Sequence, residues 1–502
     1  MQSCGKEPNS VKIRWKWDKN KSMAAAAMIL LLVATAAVTY FNGYENVGVS
    51  AGTAVITGAL EKEILKENQK AMEKLQSANE PQESDLAGEV PVEQVVPNIR
   101  VLLHTSNYDA LLHDEILITS SQTFSLKWEG EEQLCAGDSV VTIRPDDARL
   151  AQGSLIISGE GGLQLVSVKR DCGYPTYPGI IEIRADGGKL AVVNELPLEQ
   201  YLELVVPGEM PPSFGVEALK VQAVCARSYA WCQIQSMGYE QYDAHVDDST
   251  NFQVYNNQSS SEAASQAVQE TAGQVVTYDG QVVNTYYFST SCGYTTDMDI
   301  WSADPAAYPY YSAAAMSTDR QTMDLTQEEA FRTFIDSYTD SFDQTFGFYR
   351  WQVDLDIGTL TSSINGYLSQ HRMASVGTVT SLEVTGRGAG GIVKELTVTG
   401  TDGKAVLMRQ GAVREALGSS GMVICQLNGG TVESWSMLPS AFLYLKEIQA
   451  EGGLAGYEIH GGGYGHGVGM SQNGVSGMVK AGYTYTAILA YFYQGTDLSK
   501  TY

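Results

Sequence analysis

One short segment constrains the fold of this chain more than any other. Residues 206–212 read VPGEMPP, so that Glu209 stands alone between a Pro-Gly pair and two adjacent prolines. Because proline cannot continue a helix and restricts the residue before it, the backbone must break at this acid. The composition from Gly215 to Gln235 then predicts a long helix, with Ser213 as its N-cap and Glu217 in its first turn. The segment therefore predicts a carboxylate on a rigid corner.

The predicted helix also carries a face of small residues. Ala223, Ala226 and Ala230 recur every three or four positions, which lets a neighbouring element pack closely. A catalytic carboxylate needs such rigid support. On the residues alone, a local cap or ion pair for Glu209 stays an open interpretation.

Length, composition and charge narrow the class of protein. The 502 residues, 44% hydrophobic and 18% charged, predict a globular chain with room for about two or three domains. The net charge of −26 argues against binding to nucleic acid or to an anionic membrane surface through bulk electrostatics. A polar, weakly charged glycan is compatible with that charge.

The N-terminal region predicts a membrane anchor. Lysine and arginine dominate residues 1–22, and residues 23–41 are apolar and uncharged, which at about 19 residues is just long enough to span a bilayer. The basic flank predicts a cytoplasmic N-terminus and an extracytoplasmic remainder, hence a single-pass protein of the cell membrane. A cleaved signal peptide is the alternative, because Thr35-Ala36-Ala37 offers small residues. Residues 42–96 are predicted to form a stalk and linker, and residues 97–498 the folded catalytic region.

Alternating apolar runs define the predicted fold class. Between Ile99 and Val193 short runs separated by glycine-rich breaks predict strands, and an amphipathic segment from Leu325 to Phe346 predicts a helix. The fold class is therefore predicted as α+β. A β-rich N-terminal part, a central active-site helix and a mixed C-terminal part follow one N-terminal transmembrane helix.

The seven cysteines leave the disulfide state open. Cys4 falls in the predicted cytoplasmic tail, and the other six would lie outside the membrane. Cys225 and Cys232 would be about 10 Å apart along one helix, which is too far for a bond. A Cys135–Cys172 disulfide and free buried thiols remain alternatives.

Three motifs resemble a single family. The first is the run NELPLEQYLELVVPGEMPPSF with the following EALKVQAVCARSYA, the second is STSCGYTT at 289–296, and the third is GGYGHGVGMSQ at 462–472. Together they resemble the stage II sporulation protein D family of membrane-anchored peptidoglycan lytic transglycosylases, over roughly residues 97–498. The second motif departs from the family at Tyr294, where a second glycine is usual.

The resemblance implies a mechanism for Glu209. It would protonate the glycosidic oxygen between N-acetylmuramic acid (MurNAc) and N-acetylglucosamine (GlcNAc). The carboxylate would then take the proton of the muramoyl C6 hydroxyl, which closes a 1,6-anhydro ring without water. This scheme requires a raised pKa for Glu209, which desolvation by Val205, Val206 and Met210 would supply.

Further residues are predicted to contact the glycan. Lys220 and Arg227 are assigned to carboxylate or acetamido groups of the substrate, since facing Glu209 they would lower its pKa. Tyr229 and His466 would orient the sugar, and the glycines around His466 would let the backbone approach a ligand. The predicted set of substrate-binding residues is Lys220, Arg227, Tyr229, Ser291, Cys292, Gly293, His466 and Gln472.

Residues 243–256 bear on metal binding. Some members of the family bind zinc here through cysteine and histidine, whereas this chain has Asp247, Asn251 and Phe252 at those places. Asparagine and phenylalanine are not zinc ligands. His245 and Asp247 are predicted to form a surface pair, and neither a metal nor a cofactor is expected.

Two other functions stay open. A related branch of the superfamily enhances cell-wall amidases by binding, and a purely structural wall-binding protein needs no acid at all. The partners implied by kinship are peptide-stripped glycan strands, a cell-wall amidase and a second wall hydrolase during engulfment in sporulation.

Overall fold

The computed structural model describes residues 95–171, 173–255, 261–337 and 340–502. The predicted cytoplasmic tail, membrane anchor and stalk, with nearly all of the linker, lie outside the described residues. Within the described part, no helix has the length and apolar character needed to cross a bilayer.

The N-terminal part is built from β-strands, as predicted. A seven-stranded sheet has the order β11-β1-β10-β9-β6-β3-β4, and a four-stranded sheet has the order β5-β2-β7-β8. Alternate residues such as Ile181 and Ile183 are fully buried, because successive side chains of a strand point to opposite faces. The strands are β1 Asn98–Leu102, β2 Ile116–Thr119, β3 Phe124–Trp128, β4 Glu131–Cys135, β5 Val141–Ile143, β6 Leu155–Gly159, β7 Leu163–Leu165, β8 Thr176–Tyr177, β9 Ile180–Asp186, β10 Lys189–Pro197 and β11 Val246–Asp247.

Three helices follow the β9–β10 hairpin. They are α1 Leu198–Glu209, α2 Val216–Ser236 and α3 Glu262–Glu270. The predicted small-residue face of α2 is completely buried, and α2 packs against both α1 and α3. The predicted cap is wrong, because Gly215 with φ of 92° is the N-cap and Ser213 lies in a short 3₁₀ turn, Pro212–Phe214. Glycine takes this left-handed conformation without steric cost.

The C-terminal part is mixed, as predicted. Its strands form a five-stranded sheet β20-β19-β15-β22-β21, two three-stranded sheets β16-β17-β18 and β13-β12-β24, and the parallel pair β14-β23. The elements are β12 Gln274–Tyr278, β13 Gln281–Val282, β14 Tyr287–Phe288, α4 Glu328–Ser337, β15 Trp351–Asp356, α5 Ile357–Gln370, β16 Val379–Arg387, β17 Val393–Gly400, β18 Gly403–Met408, α6 Gln410–Ala416, β19 Met422–Gln426, β20 Thr431–Trp435, β21 Leu443–Ala450, β22 Gly453–Gly461, β23 Met470–Ser471, α7 Gln472–Lys480, α8 Tyr485–Phe492 and β24 Asp497–Lys500.

Two long-range pairings bring the end of the sequence to α2. Strand β24 lies antiparallel to β12, and β23 lies parallel to β14 with Met470 opposite Tyr287. The start of α7 is thereby placed beside α1 and α2. The α+β class is confirmed for the described residues.

The described cysteines are unbridged. Cys135, Cys225, Cys232, Cys292 and Cys425 are all free thiols. Cys172, the predicted partner of Cys135, lies outside the described residues. The alternative of free thiols therefore holds for these five positions.

Candidate active site

Glu209 is the last residue of α1. Pro207 and Gly208 occupy the final turn of that helix, and Met210 is extended, with φ of −137° and ψ of 129°. The residue before a proline is restricted to this extended region, so Pro211 ends the helix directly after the acid. The predicted corner is therefore a helix terminus, and buried Met210 fixes it to the core.

Glu209 is partly exposed as a residue, and the hydrogen bonds to its carboxyl group do not fully offset the desolvation of that group. Its Oε1 accepts a hydrogen bond from the Val254 N–H at 2.8 Å, and the side chains of Tyr287 and Gln472 also hydrogen-bond the group. Burial raises the pKa of Glu209 to about 7, because desolvation outweighs these hydrogen bonds. No charged group of the described residues contributes to that pKa.

Gln472 holds the acid from the start of α7. Its Nε2 donates to the backbone carbonyl of Glu209 at 2.8 Å. The N-cap Ser471 fixes the start of the helix, because its hydroxyl accepts from the Gly474 N–H at 3.2 Å. The buried amide of Gln222 lies beside Gln472, and its Nε2 has no hydrogen-bond partner among the described residues.

Tyrosines surround the acid. The negative charge of Glu209 contributes to the raised pKa values of Tyr201, Tyr229 and Tyr287, after desolvation as the main cause. Gln253 links this group, because its Nε2 donates to the Tyr287 hydroxyl at 3.3 Å. Tyr229 therefore lies near the acid, with its side chain buried. The sequence did not predict roles for Tyr287, Gln253 and Val254. Gln253 and Val254 lie within the stretch 243–256 that was considered for metal binding, and Tyr287 lies two residues before the STSCGYTT motif.

His466 supports the site through the backbone. Its Nε2–H donates to the carbonyl of Tyr287 at 2.9 Å, and its Nδ1 accepts from the Val468 N–H at 3.1 Å. Burial lowers the pKa of His466 to about 4, so the ring is neutral at physiological pH. Because both ring nitrogens are engaged, His466 positions Tyr287 instead of offering a hydrogen bond to a sugar.

Lys220 and Arg227, which were predicted to contact the substrate, form ion pairs within the protein. Arg227 is fully buried and binds Glu199 through two hydrogen bonds of 2.7 Å. Lys220 pairs with Glu217 at 2.9 Å and with Glu270 at 2.7 Å. The burial of Arg227 leaves it no surface with which to contact a glycan, and its placement is that of a structural residue joining α1 to α2.

The loop predicted to bind sugar hydroxyls is interior. Ser291, Cys292 and Gly293 are all buried. The backbone N–H and the hydroxyl of Ser291 donate to Asp343 at 3.0 and 2.7 Å, and the Ser471 hydroxyl donates to the same carboxylate at 2.5 Å. The Gly474 N–H also bonds it. We call Ser291, Asp343, Ser471 and Gly474 the Asp343 junction, which joins this loop to the start of α7.

The glycine-rich loop also serves the interior. Gly469 has φ of 75°, and a Cβ at this position would lie 2.1 Å from the Tyr286 carbonyl oxygen. A Cβ on Gly467 would lie 2.6 Å from the Phe442 ring. These glycines let the loop approach other parts of the same chain, which differs from the predicted approach to a ligand.

Comparison with known proteins identifies this region. Residues 186–278, which include Glu209 and the whole of α2, match the family model described as Stage II sporulation protein, SpoIID. This region belongs to the SpoIID family. Residues 295–469 of the chain match a domain of unknown function, DUF8618.

Two curated relatives are similar to this chain beyond the SpoIID region. The amidase enhancer of Bacillus subtilis strain 168 is 29% identical over 304 residues, which are 59% of this chain and 40% of that protein. Stage II sporulation protein D of the same organism is 28% identical over 324 residues, which are 61% of this chain and 76% of the relative. The chain thus spans less than half the length of the amidase enhancer.

The zinc position known from some SpoIID-family members does not fit zinc here. The predicted surface pair is wrong, because His245 and Asp247 are both buried. His104, Asp247 and Asp248 bring ligand atoms within 4.8 Å of one another. However, Asp248 binds Arg170 at 2.5 Å and the His104 ring at 2.8 Å.

The carboxylate of Asp247 is engaged as well. It accepts from the Tyr239 hydroxyl at 2.6 Å and from the Ser249 hydroxyl at 2.7 Å. Protein donors and an arginine thus occupy the positions that a zinc ion would need, and a closed zinc site requires free donors. The cluster is an ion-pair and hydrogen-bond network, and no reaction step passes through it.

Proposed function

We propose that this chain is a peptidoglycan lytic transglycosylase with Glu209 as its acid. The observation that carries the proposal is a carboxyl group whose pKa is about 7, within the segment that matches the SpoIID model and at the place where the resemblance puts the family's acid. A general acid must hold a proton at the working pH and be able to release it. Hydrolytic glycosidases flank the bond with two carboxylates, whereas no second acid of the described residues influences Glu209.

The proposed reaction uses the same carboxyl group twice. Protonated Glu209 gives its proton to the glycosidic oxygen as the bond from that oxygen to the MurNAc C1 breaks. The resulting carboxylate takes the proton of the C6 hydroxyl, and O6 forms the new bond to C1. The proton returns to Glu209, the product is a 1,6-anhydro-MurNAc end, and no water is consumed.

The surrounding residues would keep the acid in position during both steps. The Val254 N–H and the Gln472 amide hold the carboxyl group and the last carbonyl of α1. Tyr287 contacts the same group and is itself held by His466. Preorganised donors of this kind are effective because they need no rearrangement at the moment of reaction.

The biological setting is part of the proposal. Family membership supports a function in sporulation-related wall remodelling. A retained anchor at residues 23–41 would place Glu209 outside the cell membrane, facing the wall. This arrangement would bring the acid to peptidoglycan while the N-terminus stays cytoplasmic.

The test is product analysis by mass spectrometry. The full chain is incubated with purified glycan, intact and stripped of peptides, beside Glu209→Gln. We expect 1,6-anhydro ends from the wild type and a loss of at least about 100-fold in the variant, the usual contribution of a general acid. Glu203→Gln, on the same helix, serves as the control and should retain activity. Equal cleavage by the Glu209 variant would remove that residue from the mechanism.

A second candidate is a non-catalytic enhancer of a cell-wall amidase. The specific observation in its favour is the 29% identity to a protein named amidase enhancer. One experiment distinguishes the two functions. Amidase rates are measured in the presence of the wild type and in the presence of Glu209→Gln. An enhancer should stimulate equally in both forms and make no anhydro ends of its own.

A further inference from the structure

Arg414, on helix α6, is a buried cation without a carboxylate partner. Among the described residues three arginines are at least nine-tenths buried, namely Arg170, Arg227 and Arg414. Arg170 and Arg227 form ion pairs of 2.5 and 2.7 Å with carboxylates, whereas Arg414 pairs with no described residue. The adjacent Glu415 is exposed and acts on Arg414 only through its more distant charge. An uncompensated buried charge is costly, which points to a partner from outside the chain.

One edge of the Arg414 guanidinium is fixed and the other is open. Its Nε donates to the Leu438 carbonyl at 2.9 Å, and the Leu438 N–H donates back to the Arg414 carbonyl at 3.2 Å. The terminal nitrogens Nη1 and Nη2 bond nothing in the described part of the chain, and neither is sealed away from solvent. Burial lowers the pKa of Arg414 to about 10, so this fork of donors stays charged at neutral pH and matches a carboxylate.

A second side chain without a partner lies on the same face of α6. Gln410 precedes Arg414 by four residues, and residues at this spacing are neighbours on a helix surface. Of the four buried glutamines that the structure describes, Gln410 alone has no hydrogen-bond partner for either atom of its amide. Long side chains on a helix lean toward its N-terminus, so the Arg414 guanidinium is directed toward the turn that carries Gln410.

The two side chains together match one chemical group. The fork of Arg414 suits a carboxylate, and the amide of Gln410 offers a donor and an acceptor to a second amide. An acylated amino acid carries these two groups side by side, as its carboxylate and its amide. That arrangement occurs at the carboxyl end of a peptide. A single cation suits a monoanion of this kind, whereas the net charge of −26 repels polyanions.

An aromatic platform lies beside the arginine. Phe348 and Trp435 are stacked with centroids 5.1 Å apart at 19°, and Tyr464 lies 5.1 and 5.2 Å from the two rings. The Tyr464 phenol is close enough to Arg414 to act on the pKa of that residue. Phe348 and Trp435 are partly exposed, so apolar groups of a ligand can pack on them. We call Phe348, Trp435 and Tyr464 the aromatic platform.

The site lies in the segment without an assigned function. Gln410, Arg414 and the aromatic platform all fall within residues 295–469, which match DUF8618. The Pro439 carbonyl, next to Leu438, accepts from the Gly465 N–H at 3.1 Å, so Arg414 and the glycine-rich loop bind consecutive carbonyls. The site therefore borders the loop that reaches the acid, but it is built from different residues.

The narrow entrance and the setting select among peptide ends. Only 5% of Arg414 is exposed, so the residue that carries the carboxylate must be small. The stem peptides of peptidoglycan end in D-alanine, whose side chain is one methyl group. The proposed function places the chain at the wall, where such ends occur.

We propose that Arg414 and Gln410 bind the carboxyl end of a peptidoglycan stem peptide. The carboxylate lies on Arg414, the amide of the terminal residue on Gln410, and the preceding part of the peptide on the aromatic platform. The inference rests on the proposed function for its setting at the wall and goes beyond it, because it gives the DUF8618 segment a ligand of its own. The chain thereby holds a peptide of the wall while Glu209 acts on glycan.

The test measures the binding of three small peptides to the full chain by isothermal titration calorimetry. The peptides are acetyl-D-alanyl-D-alanine, the same peptide with its carboxylate converted to an amide, and acetyl-L-alanyl-L-alanine. The proteins are the wild type, Arg414→Gln, Gln410→Leu and the control Arg409→Gln, an exposed arginine that precedes the same helix α6.

We expect the wild type to bind the free D-acid at least about tenfold more tightly than the amide, the usual worth of hydrogen bonds to a charged group. The D-acid should bind at least as tightly as the L-acid. Arg414→Gln should bind acid and amide equally. Gln410→Leu should weaken both by about fivefold and keep the preference for the acid, because it removes only neutral hydrogen bonds. Arg409→Gln should behave like the wild type.

Two results overturn the proposal outright. They are equal binding of acid and amide by the wild type, which needs no variant, and a preference for the acid that survives in Arg414→Gln. Tighter binding of the L-acid than of the D-acid assigns the site to the carboxyl end of a protein and overturns the choice of a wall peptide. Thermal unfolding without peptide checks the variants, and Gln410→Leu should not lower the midpoint because Gln410 loses no described partner.

Failure of the inference is distinct from failure of the proposed function. Peptide binding is measured without any glycan, and 1,6-anhydro ends are measured on strands without any peptide. Anhydro ends formed by a chain that does not distinguish acid from amide overturn only the inference. Acid-selective peptide binding by a chain that forms no anhydro ends overturns only the proposed function.

Discussion

The turn that carries Glu209 and the Asp343 junction hold a desolvated carboxyl group in different ways. Asp343 is completely buried, two serine hydroxyls and two backbone N–H groups bond it, and its pKa rises from 3.8 to about 6. Glu209 is more accessible, but it has fewer donors and a pKa of about 7. The two pKa values rise by similar amounts, so the regions differ in exposure and in the groups that supply the hydrogen bonds, and not in the size of the pKa shift.

The comparison teaches how one fold separates stability from chemistry. The Asp343 junction joins three distant segments and leaves its carboxylate no freedom to exchange a proton with a ligand. The Glu209 turn holds the backbone firmly through Gln472 and leaves the residue partly exposed. Each region can be altered separately, and the effects should differ in kind.

The largest effect is expected at the junction. Asp343→Ala leaves the hydrogen-bond donors of Ser291 and Ser471 without an acceptor. The free energy of unfolding should therefore fall by about 3 kcal/mol, which is the scale for several hydrogen bonds to a buried charge. Urea unfolding of the full chain measures this loss. Asp340→Ala, exposed and three residues away, is the matched control and should change stability little. An equally small effect at Asp343 would show that the junction is dispensable.

The second effect is the pH dependence of the proposed reaction, which is set by Glu209. Because only protonated Glu209 can act as the acid, kcat/KM for anhydro-end formation should fall about tenfold per pH unit above pH 7. The rate of end formation between pH 6 and 9 measures it, with glycan binding over the same range as the control. A rate that climbs through this range would assign Glu209 the role of a base.

The smallest effect is a gain of stability. Unfolded Glu209 ionises near its ordinary pKa of 4.5, whereas the folded group holds its proton up to about pH 7. Wild-type stability therefore falls relative to Glu209→Gln as pH rises from 4.5 to 7, and the difference is constant above that. A pKa raised from 4.5 to about 7 corresponds to about 3 kcal/mol, and solvent screening at this partly exposed residue reduces the effect. Thermal unfolding at pH 8 should therefore show the variant more stable by about 2 kcal/mol, with almost no gain at pH 4.5. Glu203→Gln should show no such pH-dependent gain.

Local patterns predicted the elements of the fold, but not which polar groups face the interior. The alternating runs before Val193, the long helix α2 and the break at Glu209 all follow from residue types and spacing. The sequence of the polar loop at Ser291 does not distinguish hydrogen-bond donors that bind a sugar from donors that bind a buried acid. Asp343, which decides between these alternatives, lies 52 residues further along the chain.

The environment of the acid was likewise beyond local patterns. Desolvation by the neighbours of Glu209 predicted the direction of its pKa shift. The partners that set its extent, Val254 and Tyr287, belong to other segments. Arg227 illustrates the limit, because a cation predicted to contact the substrate instead binds Glu199, the second residue of the helix that carries the acid.

The contact between Gln472 and Glu209 has a consequence for timing. The two residues are 263 positions apart, and β24 closes on β12 only beyond them. During synthesis the acid emerges long before the amide that holds it, and contacts of such separation form late in folding. A nascent chain therefore carries Glu209 without the amide that holds it, and the proposed cleavage of glycan would have to wait until the segment with Gln472 has been made.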